Sequence, residues 1–226
     1  MISVAIDGPV GAGKSSVARE SAKRLGFIYV DTGALYRGVA LYSVRKGLVK
    51  EEGREAEFAE KIAALLPEIT VELKIEDGVQ RIYLCGEDVS EEIRLPEISM
   101  AASSVSAVPA VREFLLGLQR DIAKNNNVLM DGRDIGTVVL LEAQVKIFIT
   151  ASPEIRAKRR YDELVEKGVE TTFEQVLNDL NRRDYQDSHR AVAPLKMADG
   201  AVLLNTSDLT FEESVESVVK LAKSAM

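Results

Sequence analysis

Short apolar runs recur along the chain at 2–7, 27–30, 127–130, 145–149 and 201–204, each bounded by polar or turn residues. Runs of this length read as strands buried on both faces. Helical spacing between most of them predicts an α/β architecture, a parallel sheet of about five strands wrapped by helices. After the first run, Val17, Ala18, Ala22 and Leu25 fall at helical spacing and Gly26 supplies a stop. The segment 68–85 behaves differently: Ile69, Val71, Leu73 and Ile75 alternate with polar residues, and Asp77-Gly78 precedes a second run at 79–85. That is the pattern of a half-exposed antiparallel hairpin. With helical stretches near 55–65 and 108–124, it is expected to form a module inserted between the second and third core strands. Ser152-Pro153 opens a helix that runs through Lys167 and stops at Gly168, Thr172 and Gln175 offer a capping box, and Thr210 and Glu213 offer another. The last helix, with Val215, Val218, Val219 and Leu221 on one face, reads as packing.

The first strand hands over directly to Gly8-Pro9-Val10-Gly11-Ala12-Gly13-Lys14-Ser15. Glycines at these places let backbone N–H groups turn around phosphate oxygens, Lys14 can reach β and γ phosphates, and the Ser15 hydroxyl can hold Mg²⁺. The ligand this points to is a nucleoside triphosphate; the bland alternative is a glycine-rich turn with no ligand. Asp7, Asp31 and Asp131 each follow the last apolar residue of an expected strand. Ligands gather at carboxyl strand ends of such sheets, although an acid there also serves as a turn or cap former.

Composition narrows the picture. At 226 residues the chain suits one domain with insertions or two small ones, and a net charge of −7 argues against broad binding to nucleic acid. Cys85 is the single cysteine, so no internal disulfide forms, and as an expected strand residue it reads as inert packing. No apolar stretch approaches a membrane span, and the amino terminus starts on a strand without a basic leader. The chain is therefore expected to be cytoplasmic, and, because the last helix and the insertion show no long uninterrupted apolar face, a monomer.

In this acidic chain Arg37, Arg112, Arg133, Arg156, Arg159, Arg160, Arg182, Arg183 and Arg190 fall around the expected nucleotide site. Guanidinium groups clamp phosphates bidentately without losing charge, and phosphoryl transfer needs mainly such clamps with Mg²⁺. Each arginine taken singly also fits a solvated or ion-paired surface. Three strings carry more: Asp31-Thr32-Gly33-Ala34-Leu35-Tyr36-Arg37, Asp131-Gly132-Arg133-Asp134-Ile135-Gly136-Thr137, and the run from Arg183-Asp184-Tyr185-Gln186-Asp187 through Ser188-His189-Arg190 to Leu195. Together with the glycine loop, in this order, they closely resemble bacterial-type cytidylate kinases. The resemblance covers nearly the whole chain, including Gly86-Glu87-Asp88-Val89-Ser90 and 103–112.

That resemblance implies a nucleoside monophosphate kinase with a core (1–36, 125–155 and 173–226), an acceptor-binding insertion (37–124) and a short lid (156–172). ATP would lie over Gly8, Pro9, Val10, Gly11, Ala12, Gly13, Lys14, Ser15 and Ser16, and CMP or dCMP opposite. By motif match, Arg37, Arg133 and Arg190 would hold the acceptor phosphate, Arg183 and Asp187 its sugar, and Ser103, Arg112 and Asp134 the cytosine, with Thr32 and Tyr36 also on the acceptor. Lys14, Arg133, Arg156, Arg160 and Arg190 would be catalytic. Ser15 would hold Mg²⁺ directly and Asp131 through water. A carboxylate suits the N4 amine of cytosine, whereas uracil places a carbonyl there; Asp134 as an ion-pair partner of a nearby arginine stays open. His189 reads as a loop residue. Departures from the family pattern are small: Lys14-Ser15-Ser16 stands where many members have Lys-Gly-Thr, and Thr32 where Ser is common. Kinases for UMP, AMP or shikimate are the nearest rival readings. A regulatory GTPase is disfavoured because neither Asn-Lys-x-Asp nor Asp-x-x-Gly occurs.

Overall fold

From β1 (Ser3–Asp7) the chain passes through the glycine loop into α1 (Lys14–Leu25), which ends on Gly26 at φ 68°. The computed structural model describes residues 1–76 and 79–226, so the expected turn at Asp77-Gly78 lies outside the described residues. Next come β2 (Ile28–Asp31), α2 (Thr32–Arg45), α3 (Glu55–Leu65), the strands β3 (Val71–Glu76) and β4 (Val79–Leu84), the short β5 (Glu87–Asp88), α4 (Pro96–Ser106) and α5 (Pro109–Lys124). The chain then continues through β6 (Val128–Asp131), a π-helical turn at Ile135–Val139, β7 (Val145–Thr150), α6 (Pro153–Glu166), α7 (Phe173–His189), β8 (Val202–Asn205) and α8 (Phe211–Lys223).

Two compact units result, one of Met1–Val30 with Ala123–Met226 and one of Asp31–Ile122. In the first, the expected parallel sheet is present, in the order β2-β6-β1-β7-β8. β1 is central, pairing Val4 with Leu129 of β6 and Ile6 with Ile147 of β7. Glycine loop and Asp131 segment therefore leave the sheet side by side at its carboxyl edge. Val4, Ile6, Leu129, Ile147 and Ile149 form its core with Val17, Ala18, Val215 and Val218 from α1 and α8. The expectation of strands buried on both faces holds for β1 and β6 but is corrected at β8, where Val202 is 43% and Leu203 57% exposed. The reason is position: β8 is an edge strand, and α8 packs on α1 and β7 rather than over it. Both capping boxes form, and Ser152 accepts from Ile155 N at the start of α6.

The second unit has its own core, with Leu35, Val39 and Leu41 of α2, Ile62 of α3, Ile82 and Leu84 of β4, Ile98 and Val105 of α4, and Val111 and Leu115 of α5. The hairpin register, Val71 with Leu84 and Leu73 with Ile82, places the apolar set on one face as the alternation requires. Cys85 corrects its expectation: it lies in the β4–β5 turn, at φ 50° beside Gly86 at φ 85°, and its side chain is exposed. Two consecutive positive φ values reverse the chain into β5, which takes the thiol off the packed face. Among the described residues, no single helix is long and apolar enough to cross a membrane.

Candidate functional site

Gly8 has φ +146°, and a Cβ built there would stand 1.9 Å from the carbonyl oxygen of Ile149 on β7. Only glycine lets the chain leave β1 past its neighbouring strand. Gly13, at φ +82°, begins α1, which has neither a side-chain cap nor an acid in its first turn. The first N–H groups of α1 and the positive end of its dipole are thus open to an anion. Lys14 is buried and its Nζ donates to Pro9 O at 2.7 Å, curling over the loop. Burial pulls its ammonium down to a pKa of about 7; the positive charge of Arg133 adds to this, while Asp131 and Asp7 oppose it.

Beside the lysine, Ser15 Oγ donates to Asp131 Oδ2 at 2.8 Å, and Tyr29 Oη donates to Asp131 Oδ1 at 2.9 Å. Hydroxyl and carboxylate oxygens in contact are the donor types that a hard divalent cation takes.

The structure brings five of the expected acceptor residues together in this unit. Arg133 Nε donates to Asp187 Oδ2 at 2.8 Å, and Arg190 Nη2 lies 3.5 Å from Asp134 Oδ1, that second pair almost wholly buried. Arg190 also donates from Nε to Ala193 O at 2.7 Å. Burial works against the charge on Arg133, but the acids around it, Asp187 first and then Asp131 and Asp184, together outweigh it and hold the group more firmly protonated than usual. Arg183 shifts the opposite way, lowered by burial and then by the charge of Arg133. The acid Asp7, near the same place, accepts from Ile135 N and Gly136 N; burial raises its pKa to about 6 against the pull of those two bonds.

The three arginines of α6 have three different surroundings. Arg156 is buried: Nε donates to Ala151 O at 3.0 Å, Nη1 donates to Val10 O at 2.9 Å, and Nη1 lies 2.6 Å from Asp184 Oδ2 of α7. Arg159 donates to the backbone and hydroxyl oxygens of Thr206. Arg160, about one-third exposed, pairs with Glu163 at 2.7 Å, the arrangement of a solvated helix face. His189 is corrected from loop to the last residue of α7, where its ring stacks on that of Tyr185, one turn back, at 4.0 Å.

In the second unit, Asp31 is both cap former and partner. It accepts from Ala34 N at 3.1 Å to open α2, and from Arg37 Nη2 at 2.7 Å. Among the described residues, the buried Nε of Arg37 has no hydrogen-bond partner. Arg112 is buried, its guanidinium 5.5 Å above the Tyr36 ring and its Nη1 donating to Ser106 O at 3.1 Å. Thr32 is buried at the start of α2 and Ser103 is half-buried on α4. Sequence reasoning gave no role to Tyr29 or Asp184. Tyr29 stands in no motif, and Asp184, although inside the third string, gives no sign there of its partner, because each acts on a residue far away in the chain.

A family model described as "Cytidylate kinase" matches residues 4–224. A cytidylate kinase of Caldanaerobacter subterraneus subsp. tengcongensis is 52% identical over 218 residues, covering 96% of this chain and 92% of the relative. One of Caldicellulosiruptor saccharolyticus is 46% identical over 220 residues, covering 97% and 95%. Among solved structures, an uncharacterized protein from Eubacterium ventriosum shares the fold with a TM-score of 0.51 at 12% identity, over 99% of both chains.

Proposed function

The chain belongs to the cytidylate kinase family, and we infer from that membership that it transfers the γ-phosphoryl group of ATP to CMP or dCMP, giving CDP or dCDP. The observation that carries this reading is one arrangement on adjacent strand ends: an anion-ready loop holding buried Lys14 after β1, and a cluster of Arg133, Asp134, Arg183, Asp187 and Arg190 reached through β6 and α7. The loop from Gly8 to Ser16 would hold the triphosphate, with Lys14 on its β and γ oxygens. Arg37, Arg133 and Arg190 would take the acceptor phosphate, Arg183 and Asp187 the sugar, and Asp134, Ser103 and Arg112 the base, beside Thr32 and Tyr36. Acceptor binding would exchange the present Arg133–Asp187 and Arg190–Asp134 pairings for phosphate, sugar and amine contacts. A phosphate monoester, with a second pKa near ~6, arrives ionised at neutral pH, so no residue need remove a proton from it. Mg²⁺ fits the Ser15 and Asp131 oxygens, and when bound it would neutralise charge on the phosphates. Segment 156–172 would act as a lid bringing Arg160 to the reacting phosphate, and Arg156 would join it only by giving up Val10 O and Asp184. The protein would work as a cytoplasmic monomer.

A coupled assay with ATP against CMP, dCMP, UMP, AMP and shikimate tests the reading. CMP and dCMP are expected to exceed UMP in kcat/KM by about 10²-fold, since a buried acceptor facing a carbonyl forfeits a hydrogen bond to the base. Equal turnover of UMP and CMP defeats the cytosine assignment.

Lys14 supplies a separate expectation. With its pKa near 7, it is largely neutral in the free protein at pH 8, whereas a bound triphosphate favours the ammonium. ATP binding should therefore take up protons at pH 8, and take up fewer, or release them, at pH 6, where the lysine is already charged and the terminal phosphate is itself partly protonated. Titration calorimetry in buffers of different ionisation enthalpy reads this directly, and heats independent of buffer at pH 8 contradict it.

A further inference from the structure

We infer that Asp7 is a positioning residue for the acceptor side of the site, its carboxylate at the end of β1 setting the turn that Asp134 begins. Asp7 is 3% exposed, and each oxygen accepts from a consecutive backbone donor: Oδ1 from Ile135 N at 2.7 Å, Oδ2 from Gly136 N at 2.8 Å. Bonds to a charged acceptor are strong, and two of them to neighbouring N–H groups fix both the place and the rotation of the peptide after Asp134. Asp134 itself is non-helical, at φ −147° and ψ 27°, and its carbonyl is occupied by Val138 N at 2.9 Å and Val139 N at 3.2 Å. Its backbone is thereby held on both sides, which leaves the side chain aimed toward Arg190.

Gly136 makes the approach possible, since a Cβ there would lie 3.1 Å from Ala198 Cβ and 3.4 Å from Asp7 Oδ2. Packing alone does not ask for an acid here: Val4 and Ile6 fill the same strand with apolar groups, and burying a carboxylate is costly. Because Gly8 follows at once, one residue ties the triphosphate loop to the segment carrying Arg133 and Asp134.

The inference rests on the reading of Asp134 as an acceptor contact, which wild-type preference for CMP over UMP checks first. Asp7→Asn keeps the shape but offers one acceptor oxygen and turns an amide N–H toward the other donor. Losing one charge-assisted bond is expected to raise KM for CMP about tenfold or more. KM for ATP, touched only through the support that Asp7 gives the Lys14 charge, should rise by a clearly smaller factor than KM for CMP, and the preference for CMP over UMP should fall. Gly136→Ala crowds the same turn against Ala198 and Asp7 Oδ2 and should give the same acceptor-specific change. If wild type prefers CMP, an unchanged KM for CMP in either folded variant overturns the inference, and so does an equal rise in both KM values.

Discussion

Lys14→Met lowers kcat by about 10³-fold while the protein stays folded, the expected cost of removing one preorganised charge from a phosphoryl-transfer site. Nothing else in the loop can substitute. The glycines offer only neutral N–H groups, and Arg156, the nearest guanidinium to the loop, is engaged by Val10 O and Asp184. The fold should tolerate the change because the ammonium strains it. Its folded pKa, about 7, is lower than the 10.5 of an exposed lysine. The unfolded chain therefore binds more protons between those values, and stability rises with pH across that window. The penalty is complete below pH 7 and fades as pH approaches 10.5. Met fills the stem volume without it, so thermal unfolding should show Lys14→Met at least as stable as wild type at pH 6, with the gap narrowing at pH 9. Full activity in this variant removes the lysine from the chemistry; unfolding at pH 6 refutes the account of its burial.

Asp134→Ala is expected to lower kcat/KM for CMP by about 10²-fold and to leave KM for ATP unchanged, with the preference for CMP over UMP collapsing. The carboxylate lies almost wholly buried, opposite Arg190, which also holds Ala193 O. Removal takes away the acceptor proposed for the cytosine amine and the counter-charge of a buried guanidinium, so the midpoint of thermal unfolding should fall as well. Two further measurements separate these consequences: turnover well below that midpoint, and Asp134→Asn, which keeps an acceptor oxygen and should recover part of the CMP preference. CMP kinetics unchanged in Asp134→Ala would make Asp134 an ion-pair partner only.

Much of the fold was legible because its signals are short-range. The loop, the stop at Gly26, the capping boxes at Thr172 and Thr210 and the alternation of 69–75 each depend on residues a few positions apart. α4 and β5 carried no such signal. α4 buries only Ile98 and Val105 from its apolar positions, too few for a helical period to stand out, and β5 is two residues long. Arg156 and Arg160 read alike at helical spacing, yet one is a buried strut and the other a surface ion pair.

The amino-acid order alone determined the core strands, most of the helices, the anion loop and the family resemblance, since local backbone preference and apolar period are written within a few residues. Only the tertiary structure decided which charges are buried and paired: Arg156 meets Val10 across 146 positions, Asp7 meets Ile135 across 128, and Ser15 meets Asp131 across 116. It also left β8 uncovered at the sheet edge and put Cys85 in a turn. The physical reason is that desolvation and ionic pairing depend on distance in space, which packing sets and no short stretch of chain records.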